Sequence, residues 1–311
     1  MPAVLVPILL AACNPGAKEA RELGDACEGG NAAACSQLGD RAARGDHLLR
    51  DWRRAADLFQ AACDGGEAEG CVRLARLHTS DQAARRGVAF DSALAADLLQ
   101  RGCDQGQMEG CTELGDMYVD RDSVVPEVEP KGVLQDFARA ARLYQRACDG
   151  GEMDGCARLG LLYRDGTGVP RDPVRAAELY RSSCDGGAPL GCSHLGEAYV
   201  SGIGLDPDPG RAAALFEEVC EEEMVGCFHL AGLVASGTGV AQDYDRAVEL
   251  YQKACDGTLS GDEGSPPVPE SCYRLGDLFA TGVGVERDLS RASRLFRRAC
   301  RIGYEEACRR S

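Results

Sequence analysis

The chain has 311 residues, of which 50 are acidic and 34 basic, giving a formal charge of −16. That balance argues against a nucleic-acid backbone or an anionic lipid surface as the main partner. Cysteine occurs 17 times, an odd number, so full pairing leaves one over.

Residues 1–12 carry no charged side chain and are mostly apolar. The stretch is too short to span a bilayer, which takes about 20 apolar residues, but it suits the apolar core of a secretion signal. Leu10-Ala11-Ala12-Cys13 resembles a bacterial lipobox, in which the cysteine becomes the lipid-modified first residue. No Lys or Arg precedes the apolar run, which departs from the usual signal. The expectation is a signal peptide over 1–12, lipid on Cys13, a short tether over 13–18, and a single solenoid over 19–311. Any membrane association would run only through that lipid anchor.

A half-repeat, Glu19 to Cys27, opens the solenoid. Seven repeats follow at a base period of about 36 residues, the size of one helix pair: 33–63, 69–103, 109–148, 154–184, 190–220, 225–255 and 270–300. Each starts a helix, here called A, near a cysteine. Counting from that cysteine, position +3 is Leu38, Leu74, Leu114, Leu159, Leu195, Leu230 and Leu275, and position +4 is always Gly or Ala. These share one helical face. Glycine weakens a helix, so its recurrence at +4 predicts close approach of a neighbour. Position +7 is aromatic in Tyr118, Tyr163, Tyr199 and Phe279, and His78 in that slot is expected in the core.

A Gly-x-Gly follows helix A at Gly166/Gly168, Gly202/Gly204, Gly237/Gly239 and Gly282/Gly284. No strand precedes it and no Lys-Ser/Thr follows, so it reads as a turn with positive φ, not a phosphate loop. Helix B then opens on Asp51, Asp91, Asp136, Asp172, Asp208, Asp243 or Asp288, as suits N-caps. Alanine stands four residues on, and four further come Phe59, Leu99, Tyr144, Tyr180, Phe216, Tyr251 and Phe296, one apolar stripe. A cysteine follows after four more. Insertions rich in Pro, Gly and acid, 120–132 and 257–270, read as exposed loops. A stub, Tyr304 to Ser311, ends the chain.

The cysteine closing each helix B and the one opening the next helix A make eight pairs: Cys27–Cys35, Cys63–Cys71, Cys103–Cys111, Cys148–Cys156, Cys184–Cys192, Cys220–Cys227, Cys255–Cys272 and Cys300–Cys308. Cys13 is the residue left over. Zinc knuckles pair cysteines two to four residues apart, and no Cys-x-x-Cys occurs. The spacing favours disulfides in an oxidising compartment over metal or reduced thiols.

The pattern C-x-x-LG-x-x-Y…G-x-G-V…D-x-x-x-A-x-x-x-Y-x-x-x-C resembles the Sel-one-like repeat family, relatives of tetratricopeptide repeats, and the eight-residue cysteine spacing resembles its cysteine-rich Hcp-type branch of secreted bacterial proteins. The resemblance covers roughly residues 19–308. It implies an all-α fold, a right-handed αα-superhelix of about seven disulfide-clipped helix pairs. It also implies a concave face that serves as a scaffold for other proteins, in a periplasmic, outer-membrane or secreted protein. Some Hcp-type relatives are described as β-lactam-binding or weak β-lactamases. The first three repeats depart from the pattern, since their inter-helix turns lack Gly-x-Gly.

No catalytic or cofactor motif accompanies the repeats. A serine β-lactamase needs Ser-x-x-Lys and Lys-Thr-Gly. The only lysines are Lys18, Lys131 and Lys253, and neither motif occurs. Of His47, His78, His194 and His229, the last two share position +2 of adjacent repeats. They make either a metal pair or, as the favoured reading, two surface histidines in a slot otherwise held by Gln37, Arg73, Glu113, Arg158 and Arg274. Acids recur at −2, as Glu69, Glu109, Asp154 and Glu270, and at +5, as Asp40, Asp116, Glu197 and Asp277. By resemblance these slots line the concave groove. The helix dipole accounts for acids at −2 but not for those at +5. The expectation is an acidic groove for a protein or peptide, basic in character.

Overall fold

The computed structural model describes residues 15–46, 50–120, 134–257 and 266–310. Cys13, the expected signal peptide, His47 and most of both insertions lie outside them. Every regular element among the described residues is a helix. They form two compact lobes, residues 1–155 with 167–169, and 156–166 with 170–311.

In the first lobe α1 (Pro15–Glu28) precedes three A/B pairs: α2 (Ala32–Arg44) with α3 (Trp52–Asp64), α4 (Ala68–His78) with α6 (Ser92–Asp104), and α7 (Met108–Val119) with α8 (Phe137–Asp149). Residues 15–18, expected as a tether, are the first turn of α1. Proline fits that position, and Arg41 of α2 holds the turn by pairing with Glu19 at 2.6 Å and donating to the Gly16 carbonyl at 3.3 Å. A four-residue helix that the periodicity does not show, α5 (Asp81–Ala84), bridges α4 and α6 where the Gly-x-Gly turn is missing.

The second lobe holds most of α9 (Met153–Asp165), then α10 (Pro173–Asp185), α11 (Pro189–Ser201), α12 (Pro209–Val219), α13 (Met224–Ser236), α14 (Tyr244–Asp256), α15 (Pro269–Thr281) and α16 (Leu289–Arg301), closed by α17 (Glu305–Cys308). Pro269 and Glu270, expected in a loop, already form the first turn of α15.

Each of the seven predicted aspartates is the N-cap of its B helix, its carboxylate accepting a backbone N–H of the first turn. The B-helix stripe is the core: the ring or Leu99 at its centre is buried in every repeat, with the alanine of the preceding turn beneath it. Where position +4 of helix A is glycine, it is the seat of that ring. A Cβ on Gly160 would stand 2.5 Å from the Tyr180 ring, and one on Gly39 2.6 Å from Phe59. The second glycine of each Gly-x-Gly has a different task. It has positive φ, and at Gly204 an added Cβ would overlap the Pro173 carbonyl at the start of the preceding B helix.

Seven of the expected disulfides are formed, three in the first lobe and four in the second, each joining the end of one helix to the start of the next with Cα atoms 4.4–4.8 Å apart. The eighth, Cys148 with Cys156, has one cysteine assigned to each lobe and stands as the sequence proposes it.

Candidate binding face

Positions −2, +2 and +5 of the A helices fall on one polar face, and their side chains meet in a regular way. Position +5 of one repeat pairs with position +2 of the next. Asp40 holds Arg73 at 2.7 Å. Glu197 holds His229 at 3.0 Å. Arg310, which is +2 of the C-terminal stub, holds Asp277. In α4 and α7 the polarity is reversed, with Arg76 at +5 gripping Glu113. Complementary charge in these two slots was readable in the sequence once the slots were compared between neighbouring repeats.

The acids at −2 are in their helices' first turns, where the exposed N–H groups favour them. Glu69 takes Arg73 at 2.5 Å, Glu109 takes Arg76 at 2.5 Å, and Glu270 takes Arg274 at 2.9 Å. Asp154 is half-buried, its N–H bonded to Glu152 at 3.3 Å. Asp116 accepts the Tyr144 hydroxyl at 2.6 Å. Asp40, Asp116, Glu197, Asp277, Glu69, Glu109 and Glu270 each hold a cation, an imidazole or a phenol of the same chain. Burial pushes the Asp40 and Glu113 carboxyls up from the ordinary range against the pull of Arg73 and Arg76.

His194 and His229, expected at the surface, are largely covered. His229 stacks on Phe216 at 5.0 Å, His194 tilts against Tyr180 at 5.2 Å, and both close on Glu197, His194 Nδ1 at 3.2 Å from its Oε2. An imidazole in this slot lies over the buried ring of the preceding B helix, which hydropathy alone does not reveal. His78, expected in the core, is half-buried instead, with Nδ1 2.7 Å from the Ala89 carbonyl; a polar ring needs that partner.

Burial alone would raise the Glu197 carboxyl, but hydrogen bonds from His194 and His229, with their charge, outweigh it and hold it far below the usual range. A folded-state value below the unfolded one means stability that is full above the ordinary carboxylate pKa and lost as pH falls beneath it. The gap in melting temperature between wild type and Glu197→Gln should therefore shrink as pH is lowered through about 4, followed by circular dichroism. A gap constant from pH 7 to 2 would show that the carboxylate is not specifically held.

Clefts are lined in part by these side chains. In the first lobe one of about 370 Å³ has Phe90, Leu99 and Met117 for its apolar wall and Glu113, Asp116 and Asp120 at its rim. In the second lobe one of about 380 Å³ lies by Phe228, Leu233 and Tyr251, where Gly232 at +5 supplies no side chain. A smaller one, about 220 Å³, lies by Tyr180.

The Sel1 repeat model matches seven segments in tandem, 32–67, 68–107, 109–152, 154–187, 189–222, 225–258 and 269–304. The chain belongs to the Sel1 repeat family. No curated protein matches it in sequence. Among solved structures it is similar to c5321, a protective antigen present in uropathogenic Escherichia coli strains displaying an SLR fold. The TM-score is 0.68 at 25% identity, over 93% of this chain and 57% of that one. The chain thus spans less than two thirds of that protein. A Sel1 repeat protein from Oxalobacter formigenes aligns with a TM-score of 0.64 at 20% identity, over 93% and 78% of the two chains.

Sel1 repeat proteins are in general scaffolds that bind other proteins. Seven bridges between consecutive helices also suit a compartment that keeps thiols oxidised.

Proposed function

We propose that this Sel1 repeat protein is an exported scaffold that holds a basic segment of a partner protein against the acidic face of its A helices. Its tie to the membrane would be a lipid on Cys13. The observation that carries the reading is the cleft of the first lobe. Glu113, Asp116 and Asp120 line it together with Arg76, which Glu109 and Glu113 share. Three carboxylates beside Phe90, Leu99 and Met117 suit an arginine or lysine, whose stem is apolar and whose head is charged.

Random dodecapeptides displayed on phage and selected on the oxidised protein should enrich for Lys and Arg. Affinity of the selected peptides should fall at 1 M salt, where screening is nearly complete beyond about 3 Å. It should fall as well with Asp116→Asn combined with Asp120→Asn; asparagine at 116 keeps an acceptor for Tyr144. Enrichment of neutral or acidic peptides, or affinity indifferent to both substitutions, would overturn the reading. Neither alternative function gains an observation. The β-lactamase motifs are absent from the sequence, and among the described residues no three His, Cys, Asp or Glu are arranged to hold a metal.

A further inference from the structure

The tyrosines at the centre of the B helices differ in one respect that packing does not explain. Tyr144 donates its hydroxyl hydrogen bond to Asp116, the +5 acid of its own repeat, at 2.6 Å. One repeat on, position +5 is Leu161, and the Tyr180 hydroxyl is buried with no hydrogen-bond partner although the side chain is only 2% exposed. An orphaned buried hydroxyl weakens a fold, and phenylalanine fills the same slot at Phe216 and Phe296 without that cost. Retaining a hydroxyl here therefore calls for something that bonds to it.

Tyr180 lines the 220 Å³ cavity of the second lobe together with Arg164, His194, Glu197, Ser201 and Ile203. The polar groups around it are of both signs. Arg164 uses Nε and Nη2 on Asp165, at 2.7 and 3.0 Å, which leaves Nη1 3.9 Å from Glu197 Oε2, beyond hydrogen-bond reach. Glu197 receives an imidazole on each oxygen and keeps further lone pairs. Ser201 is committed to the Glu197 carbonyl at 2.8 Å. A cationic guest would face Arg164 and an anionic guest Glu197. A carboxamide, neutral, with a donor and an acceptor side by side, answers both and leaves the Tyr180 hydroxyl a partner.

We propose that this cavity is a binding site for a carboxamide side chain, that of glutamine or asparagine on a partner segment. The carboxamide oxygen accepts a hydrogen bond from Arg164 Nη1–H, its NH₂ donates to Glu197, and the Tyr180 hydroxyl closes the set. The site is independent of the acidic cleft in the first lobe, so either proposal can fail alone.

Histidine-labelled full-length oxidised protein ([13Cε1]His) gives an imidazole signal for each histidine, and His194→Gln assigns the one at the cavity. Titration with the capped tripeptide Gly-Gln-Gly should move the His194 signal saturably, while Gly-Glu-Gly, Gly-Lys-Gly and the backbone control Gly-Gly-Gly should not. Tyr180→Phe should weaken the Gln-peptide response about tenfold, the loss of one hydrogen bond, with a melting temperature unchanged or raised. A charged or glycine-only tripeptide acting as strongly, no response to Gly-Gln-Gly up to its solubility limit, or a Tyr180→Phe protein that binds as wild type would overturn the site; the last outcome would mean the hydroxyl is met by water only.

Discussion

Excess dithiothreitol should remove most of the helical circular dichroism of the native protein at room temperature. Each eight-residue clip confines the unfolded chain by about 2–3 kcal/mol on the loop-entropy estimate, and the seventeen-residue Cys255–Cys272 clip by about 3 kcal/mol. Seven together reach the whole stability of an ordinary domain, about 5–15 kcal/mol. The helix pairs lean on them because alanine is the commonest buried residue, packed around the +3 leucine and the central ring or Leu99 of each repeat, and an alanine buries little apolar area. Replacing a single clip, Cys184→Ser with Cys192→Ser, should cost about 2–3 kcal/mol in urea unfolding. Denaturation of the lipid-modified protein without reductant should expose no thiol to alkylation, which also tests the Cys148–Cys156 bridge. A fully reduced chain that keeps its helical signal would show that the pairs hold without sulfur, and the case for an oxidising compartment would lose its physical footing.

Most of the helical architecture was legible because each element carries its own periodic signal. The aspartate N-caps and the apolar stripe of the B helices depend on local backbone chemistry, which one repeat states and the next six restate, and the positive-φ Gly-x-Gly turn recurs in four. The elements that escaped have no such redundancy. α5 has no counterpart in the other repeats among the described residues, and the first turn of α1 precedes the half-repeat that the pattern marks. The site was legible only in position. The sequence puts acids at −2 and +5 on one face, but whether a carboxylate is spent inside the chain depends on a residue about 33 positions away, as Asp40 on Arg73 and Asp277 on Arg310. Their meeting is set by the stacking of repeats, not by any local period. The cavities are subtler still. The cleft beside Gly232 lies where the +5 slot has no side chain, and an omission has no signature within a single repeat.

The seat of the buried ring gives the second large effect. Gly196→Ala adds the best helix former in place of nearly the worst, a gain of about 1 kcal/mol in an isolated helix. In this protein the new methyl would stand 2.5 Å from Cε1 and 2.7 Å from Cζ of Phe216, and that ring is fully enclosed. Neither ring nor helix has room to yield, so overpacking of about 1–3 kcal/mol should outweigh the propensity gain and leave the variant about 1–2 kcal/mol less stable. The second repeat shows the remedy, since there Ala75 takes the glycine's place and Leu99 the ring's. Phe216→Leu by itself should destabilise by leaving a void, yet in the Gly196→Ala background it should make room for the methyl. A double-mutant cycle from urea unfolding should thus give a favourable coupling of about 1 kcal/mol or more between the two positions. Strict additivity would mean that the glycine is kept for its backbone and not as the seat of the ring, and the close A–B approach would need another cause.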